Sequence, residues 1–405
     1  MSAVELKSMN DDELRADVRA WLEAHWVKPE RKAKVVLPKD SWERSPSLQE
    51  WLREVIEARW ATPTWPVQWY GRGLDKEQAK IISEEFARVK APGANLDRTH
   101  LAGNTFLTFA SDAVKTELLL PILCGEKRIC LLYSEPGAGS DLAGVRTRAE
   151  RSGDKFIING QKVWTSGAMT AEYGFLVCRT DWDVPKHQGI SFMLCPMQQK
   201  GIEVRPLHQI TGESHFNEVF LTDAEVPVEN VFGQLNAGWK VLQTALAYER
   251  SSMGEGSGDR KGAVKLNFIE RAREYGCLDD PLIRQDIARV IALRKLNELN
   301  MARAKADMAQ GTSSPIMSLG KLAMSRILHE EARVLTAILG AESLFNGDDH
   351  PQAQDTNYRT FNAYMTSIGG GTDQIQRNII GERVLGLPKE VELDRDVPFR
   401  TVRSG

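Results

Sequence analysis

The hydrophobic period of this chain changes twice, and that change limits its possible folds more than any other feature. From Asp11 to about Cys124, apolar residues recur at helical spacing: Leu14, Val18 and Leu22, then Leu52, Val55 and Ile56, then Ile81, Ile82 and Phe86. After Cys124 the pattern shortens to β-type runs. Phe156–Ile158 and Gln161–Trp164 flank Asn159-Gly160, which reads as a hairpin turn. Tyr173–Arg179, Ile190–Cys195, Asn217–Leu221 and Glu225–Val228 read as further short strands. From Asn236 the period is helical again, over Trp239–Arg250, Leu282–Gln310, Ser313–Phe345 and Gln374–Leu385. The middle two are long enough to pack side by side in a bundle. The expected architecture is therefore mainly α with a central β-domain: residues 1–126 helical, 127–232 a small β-domain, 233–405 a helical bundle. Trp60–Leu74, dense in Pro, Gly and Trp, reads as a structured loop, and Gly254–Gly262 is either a loop or a small-residue part of a helix.

Composition excludes several partners. The chain has 405 residues, 26% of them charged, with a formal net charge of −3, so there is no electrostatic footprint for nucleic acid or an anionic membrane. No apolar run approaches the roughly 20 residues that span a bilayer, and the first residues have neither signal-peptide nor transit-peptide character. The five cysteines form no CxxC pair and no cluster with histidine. They read as buried, reduced thiols in a cytoplasmic protein, and no metal site is expected.

The most specific motif is Tyr133-Ser134-Glu135-Pro136-Gly137-Ala138-Gly139-Ser140-Asp141. Two glycines around a small residue make a turn whose backbone N–H groups can approach a phosphate closely. A glycine-rich turn alone says little, but this string resembles the TEPGAGSD signature of acyl-CoA dehydrogenases. The resemblance continues through KFIINGQKVWTSGA, FNEVFLTDAEVPVENVFG, NAGWKVLQTALAYERS and GGGTDQIQRNIIGERVLGLP, in the family's order over about Ile129–Pro388. TWPVQWYGRGL is similar to the loop that precedes the family's substrate-pocket helices.

The resemblance implies a helical N-terminal domain, a β-barrel-like middle domain and a C-terminal four-helix bundle. It also implies FAD, with the adenosine half reaching a second protomer. Carried over, the Tyr133 backbone and the Ser134 hydroxyl meet the isoalloxazine edge, and Gly139 and Ser140 meet the pyrophosphate or the neighbouring CoA. Trp164 covers one flavin face, Ser166 bonds near N5, and Thr372 and Gln374 complete the site. Each has a plain alternative: Trp164 as core, Ser166 as a turn residue, Thr372 as the N-cap of the helix that follows.

The implied reaction removes an α-proton while a hydride leaves the β-carbon. A carboxylate is a poor base in water and a better one once a docked acyl chain excludes solvent. Most of the family carries this Glu just before Gly-Thr-x-Gln-Ile-Gln, where this chain has Gly370. The isovaleryl- and long-chain-type enzymes carry it on an earlier helix, before an Arg, which matches Tyr248-Glu249-Arg250 here. Leu242, Ala245, Leu246 and Glu249 fall at i, i+3, i+4 and i+7, so Glu249 shares the apolar stripe of that helix. Its plain alternative is a salt bridge or a helix-end residue. Tyr248, Arg250, Gly370 and Ser140 are expected on the acyl-CoA side.

The family's adenosine half-site departs from pattern. Arg271 and Arg273 match its Arg only approximately, and Ala337 stands where its Gln would be. Either FAD is held differently at its far end or another subunit completes that site. The empty volume at Gly369 and Gly370 permits a branched, aromatic or polycyclic acyl group, resembling bacterial enzymes of steroid side-chain or dicarboxylate breakdown, some of them heterotetramers. A homo-oligomer is the other expectation, and electron-transferring flavoprotein the expected acceptor. Two rivals stand beside this reading: an oxygen-using flavin oxidase or monooxygenase on the same scaffold, and a partner subunit that only shapes another chain's flavin site.

Overall fold

A computed structural model of the chain describes residues 9–26, 46–256, 266–309, 316–392 and 394–402. The N-terminal helices are α1 (Asp11–His25), α2 (Pro46–Glu57), α3 (Lys76–Val89), α4 (Leu96–Thr99), α5 (Leu101–Phe109) and α6 (Asp112–Cys124). Their ends follow local chemistry. Asn10 caps α1 and Asp75 caps α3, each in a reciprocal capping box, with Glu13 and Gln78 respectively reaching back to the cap. Glu85, buried on α3, pairs with Arg15 and Arg19 of α1 and with Arg88. The Trp60–Leu74 segment is a compact loop: Trp60 and Trp65 are buried, and the Arg72 guanidinium lies over the Trp60 ring and donates to the Ala58 carbonyl. A Cβ on Gly71 would sit 1.9 Å from the Trp65 carbonyl oxygen, so only glycine fits there.

The middle of the chain forms seven strands: β1 (Ile129–Leu132), β2 (Arg148–Ser152), β3 (Lys155–Ser166), β4 (Tyr173–Arg179), β5 (Ile190–Pro196), β6 (Ile202–Leu207) and β7 (Phe216–Pro227). They pair in the order β1-β4-β2-β3-β7-β6, with β5 on β4. Two sequence expectations need correcting. Asn159-Gly160 is not a turn: β3 runs straight through it, and the hairpin between β2 and β3 closes instead at Gly153-Asp154, with Gly153 at φ 64°. The two runs Asn217–Leu221 and Glu225–Val228 are likewise joined, in β7.

Both corrections have one cause, a β-bulge. Asp223 takes a left-handed φ of 54°, and the Asn159 amide bonds both its backbone N–H (3.0 Å) and its carboxylate (2.9 Å). Gly160 lies so close to β2's approach that a Cβ would meet the Thr147 hydroxyl at 2.5 Å. The Asn-Gly pair therefore serves a bulge and a close crossing rather than a reversal.

The helices after the sheet are α7 (Gly238–Gly256), α8 (Phe268–Glu274), α9 (Pro281–Ala309), α10 (Met317–Leu339), α11 (Pro351–Ile368) and α12 (Asp373–Ile379), the last followed by a π-helical turn. The helix expected from Ser313 begins at Met317, and residues 310–315 lie outside the described set, as does most of Gly254–Gly262. The chain divides into two compact units. One comprises 1–207, 214–255 and 394–405; the other comprises 208–213 and 256–393. In the first, one core joins the N-terminal helices to Phe175, Phe192 and Phe232 and to Val241 and Leu242 of α7, while a second fills the sheet. In the other, α10 packs on α9, α11 and α12. Among the described residues, no helix is long and apolar enough to cross a membrane, and no group of His, Cys, Asp and Glu is arranged to hold a metal.

Candidate active site

In the first unit, β1 delivers the chain into the Gly-rich turn. Glu135 and Ala138 exchange both backbone hydrogen bonds at 3.0 Å, leaving Pro136 and Gly137 at an exposed tip. A Cβ on Gly137 or Gly139 would meet nothing within 4 Å, and Gly139 and Ser140 face solvent. The turn is tied to the end of β3, where the Val163 N–H donates to the Ser134 carbonyl at 3.0 Å.

The next residue on β3 is the least ordinary in the sheet. Trp164 adopts φ 60°, a region costly for a bulky residue, and its indole is 61% exposed, touching Phe216 edge-on at 5.8 Å. It is not a core tryptophan. Ser166 ends the strand, exposed, before Gly167 at φ 70°. Tyr133, Ser134, Gly139, Ser140, Trp164 and Ser166 are therefore gathered around the adjoining ends of β1 and β3.

Two residues with no role assigned from sequence hold this arrangement. Lys162, fully buried, donates to the Tyr133 carbonyl (3.0 Å), the Val177 carbonyl (2.6 Å) and the Glu135 carboxylate (2.8 Å). Glu135 also accepts from the Arg146 and Thr147 N–H groups at 2.7 and 2.8 Å. Burial disfavours the ionised Glu135 carboxyl, but Lys162 and those donors outweigh it and hold its pKa below the usual carboxylate value. Burial also pulls the Lys162 ammonium below the usual lysine value, with Glu135 opposing. Strand parity carried the missing signal: Phe156, Ile158 and Lys162 share the inward face of β3, a relation hidden once the strand is cut at Asn159-Gly160.

Beyond the turn, buried Arg179 donates to the Val145, Ala143 and Lys186 carbonyls and lies 3.5 Å from the centre of the Phe399 ring. Burial lowers its pKa to about 10. Arg146 reaches the Val402 carbonyl, so the C-terminal segment braces the loop that follows the glycines.

Tyr248 is half-buried on α7, whose Leu242 and Ala245 are fully buried. The helix continues through Glu249 and Arg250, whose side chains lie outside the described residues.

The second unit brings together Gly370, Thr372 and Gln374. Gly370 and Gly371 have φ of 66° and 91°, conformations that L side chains rarely adopt. The Thr372 hydroxyl accepts from the Ile375 N–H at 3.2 Å and so caps α12, and Gln374 is exposed. A polar cluster fixes this loop: buried Ser325 bonds Asp373 and Ser367, both at 2.8 Å, His329 bonds Ser367 at 2.6 Å, and Lys321 reaches Asp373 at 3.3 Å. Of the residues matched only approximately to the family's adenosine half-site, Arg271 pairs with Glu274, Arg273 is exposed, and Ala337 is exposed on α10.

Comparison with known proteins gives these features a family. Models of the acyl-CoA dehydrogenase N-terminal, middle and C-terminal domains match residues 8–126, 130–224 and 236–385. The acyl-CoA dehydrogenase IpdE1 of Mycolicibacterium smegmatis is 36% identical over 94% of this chain and 98% of its own length. Among solved structures, one described as the Tcur3481-Tcur3483 steroid ACAD matches with TM-score 0.69 and 28% identity, covering 94% of this chain and 98% of that one. The ChsE4-ChsE5 complex from Mycobacterium tuberculosis matches with TM-score 0.64 and 28% identity over the same shares. The chain belongs to the acyl-CoA dehydrogenase family, and it has that family's fold.

Proposed function

We propose that this acyl-CoA dehydrogenase works with FAD and takes the α-proton with Glu249 on α7. The observation that carries the base assignment is the left-handed backbone of Gly370 and Gly371. The loop where most of the family keeps its carboxylate is here conformed for glycine, so the base comes from elsewhere. In sequence, Glu249 falls in helical register with Leu242 and Ala245, both buried on α7.

The residues of the first unit fit a flat, anionic cofactor. An exposed indole held at a strained bulge offers a stacking face, and the open space over Gly137 and Gly139 admits a phosphate against backbone N–H groups. Tyr133, Ser134, Gly139, Ser140, Trp164 and Ser166 would hold the group there; Thr372 and Gln374 keep only the cofactor role that the family resemblance implies. Bound FAD supplies the acceptor for the β-hydride. Glu249 removes the pro-enoyl proton from the α-carbon, and the pair of events converts the acyl thioester into a trans-2-enoyl-CoA. Tyr248, Arg250 and Ser140 border the acyl-CoA in this reading. At Gly369 a Cβ would meet the Met365 carbonyl at 3.2 Å, so the reading of a bulky acyl group draws its support from the solved relative described as a steroid ACAD. Electron-transferring flavoprotein is the proposed acceptor.

A second reading concerns assembly. Two of the matched structures are described as pairs of unlike chains, and Ala337 together with the Arg271–Glu274 pair departs from the family's adenosine half-site. This supports a heterotetramer with a related chain, against a homo-oligomer. Expression of this chain alone tests the catalytic reading, and co-expression with a related chain, followed by sizing of the complex, tests the assembly. A yellow protein that releases FAD on denaturation and is bleached by an acyl-CoA under nitrogen is the expected result. A colourless chain that gains flavin only with a second protein would make it a partner subunit, and fast peroxide formation on admitting air would make it an oxidase.

A further inference from the structure

We propose that the buried Lys162–Glu135 pair is a positioning device for the flavin, setting the spacing between the Tyr133–Ser134 backbone and Trp164. The inference rests on the FAD reading given above. Its starting point is stoichiometry. An ammonium carries three N–H donors, and Lys162 has three acceptors around it at 2.6 to 3.0 Å: the Tyr133 carbonyl, the Val177 carbonyl and Glu135. Each acceptor lies on a different segment: the end of β1, β4, and the Gly-rich turn. The side chain, with no exposed surface, is thus a three-way tie at the point where those segments meet β3.

What the tie fixes lies on either side of it. Tyr133, whose carbonyl it holds, begins the turn, and Trp164 follows Lys162 by two residues in a left-handed bulge. Between them, the Val163 N–H meets the Ser134 carbonyl at 3.0 Å. A group gripped at its edge by Tyr133–Ser134 and on its face by Trp164 therefore has both contacts referred to a single ammonium. Glu135 extends the reference frame, because its carboxylate also receives the Arg146 and Thr147 N–H groups beyond the glycines. Packing alone gives no reason for ions here, since a well-shaped apolar pair is often as stable as a buried ion pair. A directional tie is what the apolar pair lacks.

The experiment compares wild type with the double variant Lys162→Met/Glu135→Leu, which leaves no uncompensated charge, and with Glu135→Gln, which keeps hydrogen-bonding capacity but loses the charge. Lys155→Met on the same strand, breaking the exposed pair with Glu225, is the control. Far-UV circular dichroism reports the fold; the FAD dissociation constant, the visible circular dichroism of the bound flavin and its reduction potential report positioning. The expected result is a folded double variant whose FAD binding is weakened about tenfold or more, with altered flavin dichroism, as for other displaced supporting groups. Lys155→Met should match wild type. Should the double variant fail to fold, Glu135→Gln is read alone and should shift the flavin dichroism. Wild-type FAD affinity, dichroism and potential in the folded double variant, or in Glu135→Gln where that variant is the one read, would overturn the proposal and leave the pair purely structural. A wild-type chain that binds no FAD would instead overturn the FAD reading.

Discussion

Replacing Trp164 with glycine separates a functional tryptophan from a packing one. Four terms act on the flavin-free chain. Left-handed backbone at a non-glycine residue costs about 1–2 kcal/mol, which glycine recovers. Against this, glycine loses roughly 0.5–1 kcal/mol more backbone entropy on folding. The edge-on contact with Phe216 contributes about 0.5–1.5 kcal/mol, toward the low end because the indole is 61% exposed. The apolar surface that Trp164 still buries adds up to about 2 kcal/mol to the loss, so the stripped chain should lose no more than about 2 kcal/mol. Trp60, 1% exposed beneath Arg72, is the internal comparison, and its truncation should cost about 3–5 kcal/mol. The assay is urea unfolding of the flavin-stripped chains by far-UV circular dichroism, alongside FAD binding. Trp164→Gly should unfold somewhat below the wild-type midpoint, well above the Trp60 truncation, yet release FAD far more readily. A loss of 3 kcal/mol or more in the stripped chain would show that the indole is packed as core, and the strain argument would fail.

Gly370→Glu restores a carboxylate at the family's common position, but in a backbone of φ 66°; it should cost about 1–2 kcal/mol in urea unfolding and leave Glu249→Gln unrescued in flavin bleaching. Glu85 has its pKa lowered to about 2 by Arg19, Arg88 and Arg15 acting against burial. Because the folded value lies below the unfolded one, its stabilisation of up to about 3 kcal/mol is complete above pH ~4.5 and is lost as pH falls toward 2. The urea midpoints of wild type and Glu85→Gln should converge over that window, and a constant gap would refute it. Cys130 and Cys178, buried with thiols pushed up to about 12, should react with a thiol reagent only as fast as the chain opens, so rapid labelling of the native protein would contradict their burial.

The helices were legible because their signal is local. Thr372 announces the cap of α12, and the apolar stripes of α1 and α7 are readable at Leu14, Val18 and Leu22 and at Leu242 and Ala245. The strands were less so. An Asn-Gly pair is the strongest short hairpin signal, yet at Asn159 the decisive partners were Asp223 and Thr147, more than sixty residues and about a dozen residues away. Cutting β3 there also concealed Lys162, whose inward parity needs the whole strand. Arg179 closes an apolar run and reads as a polar strand end, and only the carbonyls of Ala143 and Val145 and the ring of Phe399 explain its burial. Trp164 shows the reverse case: its sequence context suits a core residue, and the bulge turns it outward.

The central claim, that α-proton removal belongs to Glu249 in place of the vacant Gly370, is tested most directly by anaerobic titration of Glu249→Gln with a CoA thioester that bleaches the wild-type flavin. The variant should retain FAD and bind the thioester, seen as a perturbed flavin spectrum, but its bleaching should be slowed by about 10²–10⁴-fold. Bleaching at the wild-type rate would rule out Glu249 and move the base to another residue.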